Sequence, residues 1–307
     1  MTISTEFDQS EAIAADATYD PSGLKGKSVI VTGGASGIGE QTMRAFVGAG
    51  AFVTFGDIAE ELGQKLVQEL GDDKVAFVRC NVVTWSDQLE LFKTALDKSP
   101  SKTIDIVFAN AGLNGPDNIF FQDENADEPK EPDLHVLKTN LIGTAYTAKL
   151  ANLYLPRQPS GEDRDRCLIF TASMAGYMDQ AGSPQYDASK WGVRGLLRSI
   201  RTTGPAQGVR VNLIAPWFVD TRIMSDEIKQ KLRAGGIEFC DIQDAARAVL
   251  HFASTKHING RALTIVPKSV SQRGYVDLQE DDFPEGELIT QWQQVGKKLA
   301  HRMSKEA

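Results

Sequence analysis

The chain has 307 residues, 41% of them apolar, and a formal net charge of −8. That is ample material for a sizeable core in one large or two small domains. The acidic balance disfavours work on nucleic-acid phosphates or an anionic membrane, which reward a basic surface, and points to a small-molecule partner.

No run of about 18 apolar residues occurs, so a membrane-spanning helix is excluded. The start, MTISTEFDQSEAIAAD, lacks the basic and apolar pattern of a secretory or transit peptide, and a soluble, cytoplasmic protein is expected. Cys80, Cys167 and Cys240 are odd in number and far apart, while His135, His251, His257 and His301 form no ligand motif. Neither a disulfide framework nor a metal site is expected.

In chain order, residues 1–24 are polar and without periodicity, and read as a flexible N-terminal arm or a loose strap over the body. Seven short apolar runs follow: SVIVT (28–32), FVTFGD (52–57), VAFVRCN (75–81), IDIVFANAG (104–112), CLIFTAS (167–173), RVNLIAP (210–216) and ALTIVP (262–267). Continuous apolar strands suit a sheet covered on both faces. The intervening segments have helical period, with Leu134, Leu137, Leu141, Ala145 and Ala148 on one face of the fourth and Val193, Leu196, Leu197 and Ile200 on one face of the fifth. This alternation predicts an α/β fold, a doubly wound parallel sheet, in a single domain over 25–267. Two segments break the rhythm: a polar, proline-bearing loop at 114–133, and a C-terminal extension, 268–307, with six acids between Asp277 and Glu287. The extension ends in an amphipathic helix whose stripe is Leu288, Trp292, Val295, Leu299 and Met303, suited to docking on its own body or on a second subunit.

TGGASGIG, residues 32–39, follows the first strand and opens the first helix. Gly33, Gly37 and Gly39 let the backbone turn tightly and approach a pyrophosphate at the positive end of the helix dipole; a plain strand-to-helix turn is the other reading of such a piece. Asp57 ends the second strand, placed to accept hydrogen bonds from both hydroxyls of an adenosine ribose, or simply to cap the next helix. Neither Ala35 and Ser36 nor Ile58 offers a cation for a 2′-phosphate, and Arg44, the nearest base, lies within the first helix. NAD(H) is therefore expected over NADP(H).

These elements, with NAG at 110–112, Ser173, and Tyr186 and Lys190 four residues apart in SPQYDASKWGVRG, occur in an order that resembles the short-chain dehydrogenase/reductase family over roughly 25–267. The segment PDLHVLKTNLIGTAYTAKLA is similar to fungal, secondary-metabolism members. The resemblance implies a Rossmann-type fold with seven parallel strands. Its implied catalytic residues are Asn140, Ser173, Tyr186 and Lys190: Tyr186 as acid/base, Lys190 lowering its pKa and binding the nicotinamide ribose, Ser173 holding the substrate oxygen, and Asn140 holding a relay water. A free phenol, with a pKa of about 10, is too weak a base near neutrality without such help. Implied cofactor contacts are Gly33, Ser36, Gly37, Ile38, Gly39, Asp57, Ile58, Asn81, Val82, Asn110, Ala111, Gly112, Pro216, Val219 and Thr221, with Tyr186 and Lys190. Asn81 departs from the family's Asp beside the adenine, and Trp217 from the glycine after Pro216. The resemblance also places a substrate lid at about 217–240 and pairs subunits through the fourth and fifth helices, as a homodimer or homotetramer.

Met178, Trp217, Phe218, Ile223 and Met224, with Leu232, are candidates for an apolar pocket. A bulky hydrophobic secondary alcohol or its ketone is the expected substrate. The competing readings are an NADP(H)-dependent ketoreductase and a catalytically silent dinucleotide-binding sensor or scaffold.

Overall fold

The seven apolar runs form seven parallel strands in the computed structural model, which describes residues 9–117, 119–120, 127–157, 165–283 and 286–303, the last seven by backbone alone. They are β1 (Ser28–Thr32), β2 (Phe52–Asp57), β3 (Val75–Arg79), β4 (Ile106–Ala109), β5 (Cys167–Thr171), β6 (Arg210–Pro216) and β7 (Ala262–Ile265). The sheet order is β3-β2-β1-β4-β5-β6-β7-β8. The eighth strand, β8 (Tyr275–Asp277), corrects the expectation of seven: it lies in the C-terminal extension and pairs antiparallel with β7.

The central strands are buried almost along their whole length because both faces are covered. Val29 and Val31 of β1 enter one core, with Phe46 and Phe55, while Ile30 enters the other, with Leu91, Phe92, Val193 and Leu197. The first core is covered by α1 (Gly37–Gly48), α2 (Glu60–Leu70) and α8 (Ile242–Ser254). The second is covered by α3 (Trp85–Lys98), the helical run from α4 (His135–Leu137) to α5 (Thr144–Tyr154), and α6 (Pro184–Ile200). Strand order reverses between β1 and β4, and a crevice opens at that point beyond the carboxyl ends of the strands.

The fourth helical segment differs from its expected stripe. Lys138–Gly143 form a π-helical turn between α4 and α5, and the wider turn rotates the faces on either side of it. The buried positions become Val136, Asn140, Thr144, Thr147 and Ala148, while Leu134, Leu137, Leu141 and Ala145 are only partly covered.

The described parts of the N-terminal arm and of the extension up to Asp282 are more tightly held than their composition suggests, while residues 1–8 lie outside the described residues. Residues 9–24 are a docked strap rather than a free arm. Ser10 N donates to Asn259 O at 2.9 Å, Ile13 N to Asp277 Oδ2 at 2.6 Å, and Tyr19 stacks on His251 with centroids 5.1 Å apart. Arg261, 2% exposed, donates to both oxygens of Asp277 at 2.8 and 2.9 Å and to Asp282 at 2.9 Å, so the extension through Asp282 is fastened to the sheet edge. Beyond it α9 (Leu288–Met303) leaves Leu288, Trp292 and Val295 exposed; the side chains of Leu299 and Met303 lie outside the described residues.

Candidate active site

At the carboxyl ends of the strands a cavity of about 570 Å³ runs from the β1–α1 turn to the residues after β6. Its phosphate end is shaped by glycine. Gly33 has φ +66°, and a Cβ there would lie 2.8 Å from Ala111 Cα, so a side chain is excluded on two grounds. Gly37 also has positive φ and opens α1, whose N-cap Ser36 makes no side-chain capping bond; the amides of the first turn keep their donors. Gly39 does not line the cavity: a Cβ there would fall on the Gly33 carbonyl, so this glycine lets α1 close onto the turn.

Asp57 lies on the cavity wall, and its carboxylate accepts from Ala35 N and Ala59 N, both at 3.0 Å. It therefore braces the glycine turn and the entry to α2 at once. Arg44 is engaged elsewhere: it donates to Glu40 at 2.9 Å and to both oxygens of Glu69 at 2.7 and 2.9 Å. A cation the sequence reading passed over, Arg79, is the register partner of Asp57 on β3 and stands 3.8 Å from Glu60.

Asn110 ties the central strand ends together. Its amide N donates to Thr32 Oγ1 at 3.0 Å, its Nδ2 to Thr32 O at 3.1 Å, and its Oδ1 accepts from Thr171 Oγ1 at 3.2 Å. Ala111 and Gly112 continue the wall, with Asn81 and Val82 beyond them and Ile58 beside Asp57.

Across the cavity, Ser173 caps the 3-10 turn Met174–Gly176 and Tyr186 and Lys190 project from the first half of α6. Ser173 Oγ donates to Pro216 O at 3.5 Å and lies near enough to the Tyr186 phenol to act on its titration. Lys190 Nζ donates to Thr171 O at 3.2 Å and lies 5.4 Å from the Tyr186 ring centroid. Burial raises the phenol's pKa above its ordinary value, the Ser173 hydroxyl opposes that rise, and the Asp187 carboxylate adds to it. Burial lowers Lys190 to about 8. The expected lowering of Tyr186 by Lys190 is not seen: burial is the largest cause of both shifts, because both groups are withdrawn from water.

Asn140 stands one layer back, 1% exposed and outside the cavity wall. It sits in the π-helical turn, with Oδ1 accepting from Leu113 N at 2.8 Å and Nδ2 donating to Leu113 O at 2.9 Å and Ser189 Oγ at 3.2 Å. A Cβ on Gly112 would lie 3.2 Å from Asn140 Oδ1 and 3.5 Å from Lys190 Nζ, so the bare glycine keeps open the space between these two groups.

At the wide end Pro216, Trp217, Phe218, Val219, Thr221, Ile223 and Met224 line the cavity. Trp217 and Phe218 pack edge to face at 4.7 Å. The segment 217–240 is pinned at its far end, where Cys240 N donates to Phe218 O at 2.8 Å, and Asp220 pairs with Lys229 and Arg233 of α7 (Asp226–Ala234). Two apolar candidates are corrected: Met178 and Leu232 do not line the cavity. The 3-10 turn after Ser173 directs Met174 to the wall and leaves Met178 beyond it. Leu113, Asn114, Thr139, Gln180 and Arg222 also line the wall; they fall in irregular loops or at the helical widening, where periodicity carries no signal.

Comparison with known proteins agrees with this arrangement. The family model described as short chain dehydrogenase matches residues 27–232. The chain is 40% identical over 287 residues to the 5′-hydroxyaverantin dehydrogenase of Dothistroma septosporum, covering 87% of this chain and 92% of that protein. It is 34% identical over 242 residues to (+)-borneol dehydrogenase 1 of Salvia officinalis, covering 75% and 88%. The crystal structure of 3-hydroxyacyl-CoA dehydrogenase type-2 from Mycobacterium avium superposes with a TM-score of 0.67 at 29% identity, over 78% of this chain and 94% of that one. With a glycine-turn cavity walled by serine, tyrosine and lysine and a family model spanning most of the sheet, this chain belongs to the short-chain dehydrogenase family, oxidoreductases that bind a nicotinamide dinucleotide and act on hydroxy and keto groups.

Proposed function

We propose that the protein interconverts a bulky, hydrophobic secondary alcohol and its ketone with NAD(H). The observation that carries this reading is the convergence of the Ser173 hydroxyl, the Tyr186 phenol and the Lys190 ammonium on one wall of the cavity that begins at the glycine turn. The turn fits a dinucleotide: Gly33 and Gly37 remove the side chains that would fill it, and uncapped amides open α1 toward it. When bound, the nicotinamide ring supplies the hydride acceptor or donor.

The chain's own groups handle the proton and the orientation. Ser173 Oγ donates to the substrate oxygen and holds it beside Tyr186. Tyr186 Oη takes the carbinol proton in oxidation and returns it in reduction. Lys190, buried and hydrogen-bonded to a carbonyl, favours the phenolate by its charge and binds ribose hydroxyls with its remaining donors. Asn140 and Lys190 face each other across the gap at Gly112, room for a water through which protons pass from the lysine. Asp57 accepts from the adenosine ribose and would repel a 2′-phosphate. An NADP(H) reading is favoured by one feature, exposed Arg79 beside Asp57.

Trp217, Phe218, Ile223 and Met224 suit a bulky apolar substrate, in keeping with relatives named for 5′-hydroxyaverantin and borneol. Ile142 and Trp191, both exposed on the helices that carry Asn140 and Lys190, support pairing of subunits there; light scattering that gives a monomer would overturn that part. Fluorescence titration with NADH and NADPH tests the cofactor, with NADH expected to bind more tightly. A panel of hydrophobic secondary alcohols, followed by NADH absorbance, tests the reaction. Binding of neither dinucleotide would refute the enzyme reading, and binding without turnover of any alcohol or ketone would favour the silent sensor.

A further inference from the structure

Four residues beyond Lys190, α6 carries a second, largely covered cation. The Arg194 side chain is 11% exposed and its Nη1 donates to Gly176 O at 3.0 Å, at the end of the 3-10 turn that Ser173 caps. Its guanidinium carbon lies 4.0 Å from the centroid of the Tyr177 ring. The counter-charge comes from the C-terminal extension. Asp281, 4% exposed, accepts from Arg194 Nε at 3.1 and 3.2 Å, from Arg194 Nη2 at 2.9 Å and from Arg198 Nη1 at 2.9 Å, and Tyr177 Oη donates to it at 3.5 Å. Arg201 Nη2 reaches the Asp281 backbone carbonyl at 3.3 Å.

The turn so held is tightly seated. A Cβ on Gly176 would lie 2.8 Å from the Lys190 carbonyl oxygen, so the turn and the catalytic helix meet backbone to backbone. Ser173 is fixed from the other side by β5, and its hydroxyl also accepts from Ala175 N at 3.2 Å. Anything that lifts Gly176 off Lys190 rotates this turn and moves Ser173 Oγ relative to the Tyr186 phenol. Arg194 resists that movement, and it stays covered because Asp281 neutralises it there; without a counter-ion a guanidinium is drawn to water and releases the Gly176 carbonyl.

We infer that Asp281 is a positioning residue for the reaction: acting through Arg194, it holds the Ser173 turn on the catalytic helix and so sets whether the Ser173 hydroxyl can bond to the Tyr186 phenol. The significance of that bond rests on the proposed reaction, whereas the clamp can be tested without turnover. In protein carrying tyrosine labelled with ¹³C at Cζ, the Tyr186 resonance is assigned by its loss in Tyr186→Phe and its response to a lost serine hydroxyl is calibrated with Ser173→Ala. Asp281→Asn is expected to move the resonance in the same direction as Ser173→Ala. Arg194→Lys, which keeps a charge beside Asp281 but replaces the rigid fork that reaches Gly176, is expected to move it the same way by less.

A Tyr186 resonance unmoved in either folded variant would overturn the clamp, even if thermal stability fell, because a purely structural pair would lower the melting temperature alone. Should Asp281→Asn not fold, Arg194→Lys decides. The reaction itself stands or falls on the turnover of Tyr186→Phe, so the two failures are distinguishable.

Discussion

Lys190, buried, and Arg194, partly buried, are cations one turn apart on the same helix, and the fold treats them oppositely. Arg194 meets the Asp281 carboxylate, the Gly176 carbonyl and the face of Tyr177. Lys190, among the described residues, has one hydrogen bond, to the Thr171 carbonyl, and its pKa is pushed down to about 8. The same contrast separates the two ends of the sheet. At the extension, Arg261 sits between Asp277 and Asp282. On the cavity wall the one carboxylate among the described lining residues, Asp57, is tied to the glycine turn and not to Lys190. Counter-ions are supplied where charge holds structure and withheld where charge is to act on something that arrives.

The largest effect that could break this division is on turnover. Tyr186→Phe removes the transferable proton alone, and should reduce kcat by about 10²–10⁴-fold while NADH affinity by fluorescence stays nearly unchanged. Full activity in that variant would place the chemistry elsewhere.

At the structural end, Asp277→Asn leaves Arg261 with a reduced counter-charge in a 2%-exposed position, and should cost about 3 kcal/mol in denaturant melts. At the functional end the sign reverses. Lys190→Met removes a desolvated ammonium and should stabilise the protein by about 2 kcal/mol at neutral pH, even as activity is lost. The pH dependence follows from the direction of the shift. The folded pKa, about 8, lies below the ordinary 10.5, so between these values the unfolded chain binds more protons and the wild type gains stability as pH rises. The advantage of Lys190→Met should therefore be full below pH 8 and shrink toward pH 10.5. A constant difference across that range would show that Lys190 is not buried as a cation.

The smallest effect concerns cofactor choice. Asp57→Ala should weaken NADH about tenfold and leave NADPH unchanged or tighter, with some loss of stability because Ala35 N and Ala59 N lose their acceptor. Wild-type protein that prefers NADPH would give Arg79 the role assigned to Asp57.

The glycine-turn end of the cavity was the most legible part. Of the residues expected there, Gly39 alone lies off the cavity wall, and it lies off because its missing side chain serves helix packing. Glycine turns, the acid at a strand end and a Tyr–Lys pair at helical spacing are local patterns whose geometry is set within a few residues. The substrate end was less legible. Met178 yields its expected position to Met174, since a 3-10 turn has a different pitch from any period read along the chain. Leu134 and its stripe give way to Val136 and Asn140 because a π-helical turn intervenes.

The amino-acid sequence by itself determined where seven parallel strands lie along the chain, the glycine turn, and the Ser–Tyr–Lys series in short-chain dehydrogenase order, since each depends on continuous apolar runs or short spacings; the strand ends fall up to three residues inside the apolar runs. Only the tertiary structure decided that 9–24 is a docked strap, that β8 closes the sheet edge, and that a carboxylate 87 residues beyond Arg194 reaches the back of the helix that carries Tyr186 and Lys190. Those contacts join residues remote in the chain, and no local pattern of charge or hydropathy states which acid meets which base.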